Sequence, residues 1–175
     1  MLIYHTVLLT VLLFAFPVIL PLVLTSGKRR RTVLQRLALT GLPERERACD
    51  EMDENEKPLW IHALSVGETI ASVELVKKLR KDMPRARILF STSTDTGFEE
   101  AKKLLESTVD RIFFYPYDFI FSVRRVLGRI CPSAFILVES DIWPTFLLEL
   151  EKKSIPAVLV NGRLSPASFA GYERL

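Results

Sequence analysis

From Met1 to Leu24 the chain is apolar almost without interruption, and no Asp, Glu, Lys or Arg occurs before Lys28. About 20 such residues are enough to cross a bilayer as a helix, so residues 1–26 are expected to form a membrane anchor. Pro17 and Pro21 each lack an amide donor and would kink that helix. A shallower helix lying in the interface is the other arrangement the pattern allows. Past Pro58 the rhythm changes. Short apolar runs alternate with stretches of helical period, the pattern of a parallel sheet joined by crossover helices.

Strands are predicted over Leu59 to Leu64, Ile88 to Ser91, Arg111 to Tyr115, Ala134 to Val138 and Ala157 to Val160. The fourth is unbroken in its apolarity and is therefore expected near the centre of the sheet. A helix over Glu68 to Lys81 would turn Ile70, Val73, Val76 and Leu79 inward. One over Thr96 to Leu105 would bury Phe98, Ala101 and Leu105 behind an Asp95 N-cap. Asp118 is expected to cap a helix that reaches Ile130 and buries Phe119, Val123 and Val126. Pro144, tolerated in a first helical turn, opens one that reaches Lys153. The expected fold class is α/β: a Rossmann-like parallel sheet with helices on both faces, over residues 58–175.

Residues 27–57 lie between anchor and lobe. Thr32 to Leu39 is expected to extend a helix along the membrane surface, ended by Gly41 and Pro43. Glu44 to Lys57 carries charges of both signs without apolar period, which marks a solvated linker.

At 175 residues the chain holds one ordinary core. Its net charge of +3 matters less than its distribution, because Lys28-Arg29-Arg30-Arg31 directly follow the apolar run. Basic residues stay on the cytoplasmic side of a membrane, which places the lobe in the cytoplasm beneath a single amino-terminal span of the plasma membrane. A cleaved signal peptide carries its charges before the apolar run instead. The cluster reads first as this topology signal, with about 1 kcal/mol of attraction to anionic lipid per residue, and second as a guide for a phosphorylated lipid. No basic stripe interleaved with aromatics is present, so nucleic acid is not an expected partner. Cys49 and Cys131 stand far apart and suggest neither zinc nor a disulfide, and reduced thiols fit a cytoplasmic domain. His5 and His62 make no metal cluster, and no glycine-rich nucleotide signature occurs, so no metal or cofactor is expected.

The candidate chemistry sits where strands end. In Trp60–Glu68, WIHALSVGE, a strand runs through a small-residue turn and delivers Glu68 to the mouth of a helix, the place where α/β domains put their sites. Gly67 has no Cβ to obstruct a close approach. A carboxylate there also favours the positive end of the helix dipole, which by itself is worth about 0.3–1 kcal/mol and is expected to lower its pKa. Glu139 ends the fourth strand near the same crevice, or else caps or pairs locally. Trp143 reads as a packing anchor.

Four more segments accompany WIHALSVGE in order: Ser91-Thr92-Ser93-Thr94-Asp95-Thr96-Gly97, Tyr115-Pro116-Tyr117-Asp118, Glu139-Ser140-Asp141-Ile142-Trp143-Pro144 and Val160-Asn161-Gly162-Arg163-Leu164-Ser165. Together they resemble the N-terminal half of the 3-deoxy-D-manno-octulosonic acid (Kdo) transferases, across nearly the whole chain. The resemblance implies a bilobal GT-B enzyme whose N-terminal lobe handles the acceptor, a lipid A precursor (lipid IVA), while a C-terminal lobe binds the donor, CMP-Kdo. These 175 residues would then hold the first lobe, with the donor lobe beyond them. It implies inverting transfer with Glu68 as general base and Glu139 as a second active-site carboxylate. Ser65, Gly67, Thr92, Thr94 and Gly97 would line the acceptor cleft, although capping and turn formation explain the serine, threonines and Gly97 equally well. Arg163 would meet a phosphate or carboxylate, with a surface salt bridge as its bland alternative. The competing function is a membrane-tethered module that binds a lipid or partner without catalysis.

Overall fold

The computed structural model describes residues 25–43, 49–53, 56–139 and 141–162, together with Tyr4, Thr6, Thr10, Phe14, Ala15, Pro17, Pro21 and Val23. Five strands, β1 (Leu59–His62), β2 (Ile88–Thr92), β3 (Arg111–Phe114), β4 (Ala134–Val138) and β5 (Ala157–Val160), form one sheet. Among the elements that the described residues define in full are five helices: α1 (Gly27–Arg36), α2 (Val66–Asp82), α3 (Asp95–Leu105), α4 (Ile120–Ile130) and α5 (Pro144–Lys152). All pairings are parallel and the spatial order is β3-β2-β1-β4-β5. The chain therefore builds outward from β1 to β3, then crosses back to lay β4 on the other side of β1. At that reversal the loops after β1 and β4 diverge to opposite faces and leave a crevice at the carboxyl ends of the strands.

Successive strand residues point to opposite faces, and both faces are apolar here because both are covered. Trp60, Leu89, Phe113, Phe135 and Leu137 pack under α4 and α5, with Val123, Val126, Leu127, Phe146 and Leu150 from the helices. Ile61, Ile88, Phe90, Ile136 and Val138 pack on the other side against Val76 of α2 and Ala101 and Leu105 of α3. The expected sheet with helices on both faces is thus present, and β4 is an interior strand.

Side-chain hydrogen bonds, some local and some to partners far along the chain, account for the departures from the periodic reading. On α2, Ile70 is 53% exposed, while Thr69, Ser72 and Val76 are buried. Thr69 Oγ1 donates to the Ser65 carbonyl at 2.8 Å and Ser72 Oγ to the Thr69 carbonyl at 2.7 Å. Their hydroxyls are satisfied within the helix, so these small residues lie inward where an apolar count passes over them. The N-cap of α3 is Thr94, whose Oγ1 accepts from the Gly97 N–H at 3.0 Å, and Asp95 instead accepts from Thr32 Oγ1 at 3.0 Å. Phe98 is half-buried, stacked on Phe114 at 4.6 Å. Asp118 does not cap α4, which begins at Ile120. It accepts from the Thr145 and Phe146 N–H groups at 3.0 and 2.9 Å and so caps α5, supplying the oxygens that Pro144 and Trp143 lack.

The cysteine expectation is corrected: Cys49 and Cys131 form a disulfide with Cα atoms 5.5 Å apart. The Cys49–Glu51 turn lies against the carboxyl end of α4, where Cys131 is the left-handed C-cap, and a separation of 82 residues in sequence says nothing of distance across a fold. The bond sits awkwardly with a reducing compartment, where such a pair is held as thiols.

α1 is tied to the strand ends. The Arg36 carbonyl accepts from the Tyr117 N–H at 2.8 Å and the Leu37 carbonyl from Ser122 Oγ at 3.3 Å. Among the described residues no helix is long and apolar enough to cross a membrane. Most of the expected anchor lies outside the described residues, although Tyr4 donates to Asp118 Oδ2 at 2.9 Å.

On the buried side of α5, Glu149 accepts from Arg124 Nε at 2.8 Å and Lys152 Nζ at 2.7 Å. The Arg124 hydrogen bond first, against burial, and then Lys152 bring its carboxyl down to about 2. A folded-state pKa below the unfolded one stabilises above the ordinary value of 4.5, and that contribution is lost as pH falls toward 2. Melting temperatures of Glu149→Gln and the parent protein are expected to converge over that interval; a constant gap would remove Glu149 from acid sensitivity.

Candidate functional site

Glu68 stands in the first turn of α2, after the extended N-cap Ser65. Its Oε2 accepts the Leu64 N–H, which folds the side chain back over the turn from β1. Across the crevice, Glu139 follows β4 in the left-handed region, φ 63°, and its N–H donates to the Val160 carbonyl at 2.9 Å. Asn161, also left-handed at φ 54°, donates from Nδ2 to Glu139 Oε1 at 3.3 Å. Two adjacent non-glycine residues in this region, at the ends of neighbouring strands, are the kind of backbone strain that accumulates at functional sites.

Burial is the main influence raising the Glu68 pKa, and the charges of Glu139 and Asp141 add to it, against the Leu64 and Ser65 N–H groups. This corrects the expectation of a lowered value. The amino end of α2 does favour the carboxylate, but its two donors are outweighed by desolvation and two like charges.

Four groups that sequence reasoning left out, His62, Asp141, Tyr115 and Arg36, complete the arrangement. His62, the last residue of β1, is fully buried and lies 3.2 Å from Asp141 Oδ2 through Nε2. The Tyr115 ring stacks on it at 3.9 Å. Arg36 reaches in from α1, donating from Nε to the Tyr115 carbonyl and from Nη1 to the Ser93 carbonyl, both at 3.1 Å, with its guanidinium 4.1 Å above the Tyr117 ring. Burial pushes the His62 ring down against the pull of Asp141. Burial would raise Asp141, but the His62 hydrogen bond, Trp143, and the charges of His62 and Arg36 hold it below its usual value. The Trp143 indole N–H stays outside hydrogen-bond geometry and has no partner among the described residues. His62, Tyr115 and Asp141 belong to the same segments that carried the resemblance, and this was their only signal; nothing in α1 distinguished Arg36 from its basic neighbours.

The other expected residues divide. Ser65, Gly67 and Glu68 come together at the crevice with Glu139. Thr92, Thr94 and Gly97 lock the β2–α3 loop: Thr92 Oγ1 donates to the Thr94 carbonyl at 3.3 Å, and Thr94 caps Gly97. Arg163 lies outside the described residues. A groove of about 410 Å³ beside edge strand β3 contains none of Glu68, Glu139 and Asp141, so the site rests on strand topology and not on cavity size.

The two glycines differ in a testable way. A Cβ on Gly97 would stand 2.8 Å from Thr94 Oγ1 and 3.4 Å from the Ser65 carbonyl carbon, whereas one on Gly67 would meet nothing within 4 Å. Gly97→Ala is expected to lose about 1 kcal/mol with the cap. Gly67→Ala should match or slightly exceed the parent, since alanine suits a helix better. Thermal melts of the two variants that coincide would refute this. The open space at Gly67 is available to a ligand.

Comparison with known proteins shows the family of the chain. A family profile described as 3-deoxy-D-manno-octulosonic-acid transferase (kdotransferase) matches residues 33–175. A 3-deoxy-D-manno-octulosonic acid transferase of Haemophilus influenzae is 37% identical over 117 residues, 67% of this chain and 27% of the relative. A bifunctional glycosyltransferase/methyltransferase of Fusobacterium nucleatum is 36% identical over 122 residues, 69% of this chain and 19% of the relative. The transferase of Chlamydia pneumoniae is 26% identical over 165 residues, 93% of this chain and 35% of the relative. The chain thus spans between about a fifth and a third of the length of these relatives. With the profile covering most of its length, the chain belongs to the 3-deoxy-D-manno-octulosonic-acid transferase (kdotransferase) family.

Proposed function

We propose that this chain is the acceptor-side lobe of an inverting glycosyltransferase that moves Kdo from CMP-Kdo to the lipid A precursor lipid IVA, with Glu68 as general base. The observation that carries this reading is the meeting of Glu68 and Glu139 at the strand switch point of a chain of this family. The acceptor hydroxyl gives its proton to Glu68 as its oxygen attacks the anomeric carbon, and CMP departs from the opposite face with the bonding electrons. A carboxylate made more basic by burial and by like charges is suited to that step. The Leu64 N–H fixes its direction, and Glu139, held by Asn161, orients the acceptor.

CMP-Kdo would bind a second lobe outside these residues. The inner membrane is the proposed location, with an amino-terminal span and the lobe on the cytoplasmic side. The apolar first 24 residues and the basic cluster on α1 support that placement, and the Cys49–Cys131 disulfide counts against it.

The test supplies CMP-Kdo and lipid IVA in detergent to the full-length protein that carries this chain. Release of CMP with a Kdo mass increment on the lipid is the expected result. Binding of lipid IVA without CMP release would instead identify a non-catalytic acceptor module.

A further inference from the structure

A string of buried hydrogen bonds runs from the core to the crevice. The Trp60 Nε1–H donates to Ser91 Oγ at 2.8 Å, Ser91 Oγ lies 3.0 Å from His62 Nδ1, and His62 Nε2 lies 3.2 Å from Asp141 Oδ2. An ionised carboxylate only accepts, which assigns the His62 proton to Nε2. Nδ1 then accepts the single Ser91 hydroxyl proton, whose oxygen is already an acceptor for Trp60. The Ser91 carbonyl, also 3.0 Å from Nδ1, gains nothing from this tautomer. In composition the string is a Ser-His-Asp triad. It is not a nucleophile's triad, because Ser91 is fully buried.

Its free end is Asp141, whose side chain is 12% exposed. Asp141, Ile142 and Trp143, which precede α5, belong to no helix or strand that would hold it. The His62 bond joins it to the end of β1 across the switch point, and the Tyr115 ring at 3.9 Å keeps the imidazole from turning. His62 and Trp60 thus spend buried polar contacts on fixing one carboxylate beside another.

We propose that Asp141, locked by His62, is a positioning residue for the transfer, fixing the charge environment in which Glu68 takes the acceptor proton. This rests on the proposed role of Glu68. After burial, the largest influence, the groups acting on that carboxylate are, in decreasing order, the Leu64 N–H, Glu139, the Ser65 N–H and Asp141. Asp141 in turn faces His62 of β1, Trp143 and Arg36 of α1, and acts on Tyr115 after β3. Removing the Asp141 charge takes away an influence that raises the Glu68 pKa, so the acid limb of kcat/KM moves to lower pH.

Asp141→Asn preserves shape and still accepts from His62. In the full-length protein with CMP-Kdo and lipid IVA, it is expected to lower kcat about tenfold, move the acid limb down, and leave the acceptor KM nearly unchanged. His62→Phe keeps the stack on Tyr115 but frees Asp141, and a loss of kcat that His62→Gln restores would support the lock. An Asp141→Asn enzyme that melts like the parent and keeps its kcat and pH profile would overturn the proposal. Glu68→Gln run in parallel separates the two readings. If it is inactive while Asp141→Asn is normal, only the positioning role fails; if it turns over normally, the base assignment fails and this inference with it.

Discussion

Glu68→Gln in the full-length protein is expected to cut Kdo transfer by about 10²- to 10⁴-fold, the usual contribution of a positioned general base. Glutamine keeps the length of the side chain and an oxygen that accepts the Leu64 N–H, so the turn and the first helical turn should keep their shape. It removes the proton acceptor. The loss should therefore fall on kcat, with lipid IVA binding and melting temperature close to the parent values. Burial and the charges of Glu139 and Asp141 raise the proton affinity of the native carboxylate, so activity should decline on the acid side at a pH above the ordinary glutamate value of 4.5. Turnover near the parent rate in the glutamine variant would take Glu68 out of the mechanism. A large rise in acceptor KM at constant kcat would make it a binding group instead.

Much of this arrangement was legible because parallel sheets and their crossover helices leave periodic traces. The spans of β4 and β5 match the sequence reading, and β1, β2 and β3 differ by only one or two residues at their carboxyl ends. What periodicity conceals is any residue whose place is decided by a partner far along the chain. Asp118 reads as the cap of the helix that follows it, yet serves one that starts 26 residues later. Arg36 reads as one more basic residue near a membrane, yet its guanidinium is bonded beneath the crevice to the Ser93 and Tyr115 carbonyls. Glu68 itself was found by its turn, while its proton affinity was misread. Local helix electrostatics can be inferred from neighbours in sequence, but the opposing carboxylates arrive from β4.

The same dependence on distant partners makes Trp60→Ala the substitution expected to harm stability most. Trp60 is fully buried in the centre of the face covered by α4 and α5. Phe146, Phe113, Phe135 and Tyr115 surround it at ring separations of 5.1, 5.3, 5.3 and 6.0 Å. Truncation to alanine removes the largest group in that cluster and leaves a cavity that four rigid rings cannot close, a change that typically costs about 3–5 kcal/mol. Small domains have only about 5–15 kcal/mol to lose, so urea denaturation should show a midpoint far below that of the parent. Trp60→Phe separates packing from the polar string. It refills most of the volume but cannot donate to Ser91 Oγ, and it should lose less stability than the alanine variant. Ser91 is also the hydrogen-bond partner of His62, so the phenylalanine variant should still fold yet transfer sugar more slowly. Equal stability of the two variants would mean that the aromatic cluster is not well packed. A phenylalanine variant with the parent's kcat would mean that the indole N–H stabilises the core without helping to hold the crevice.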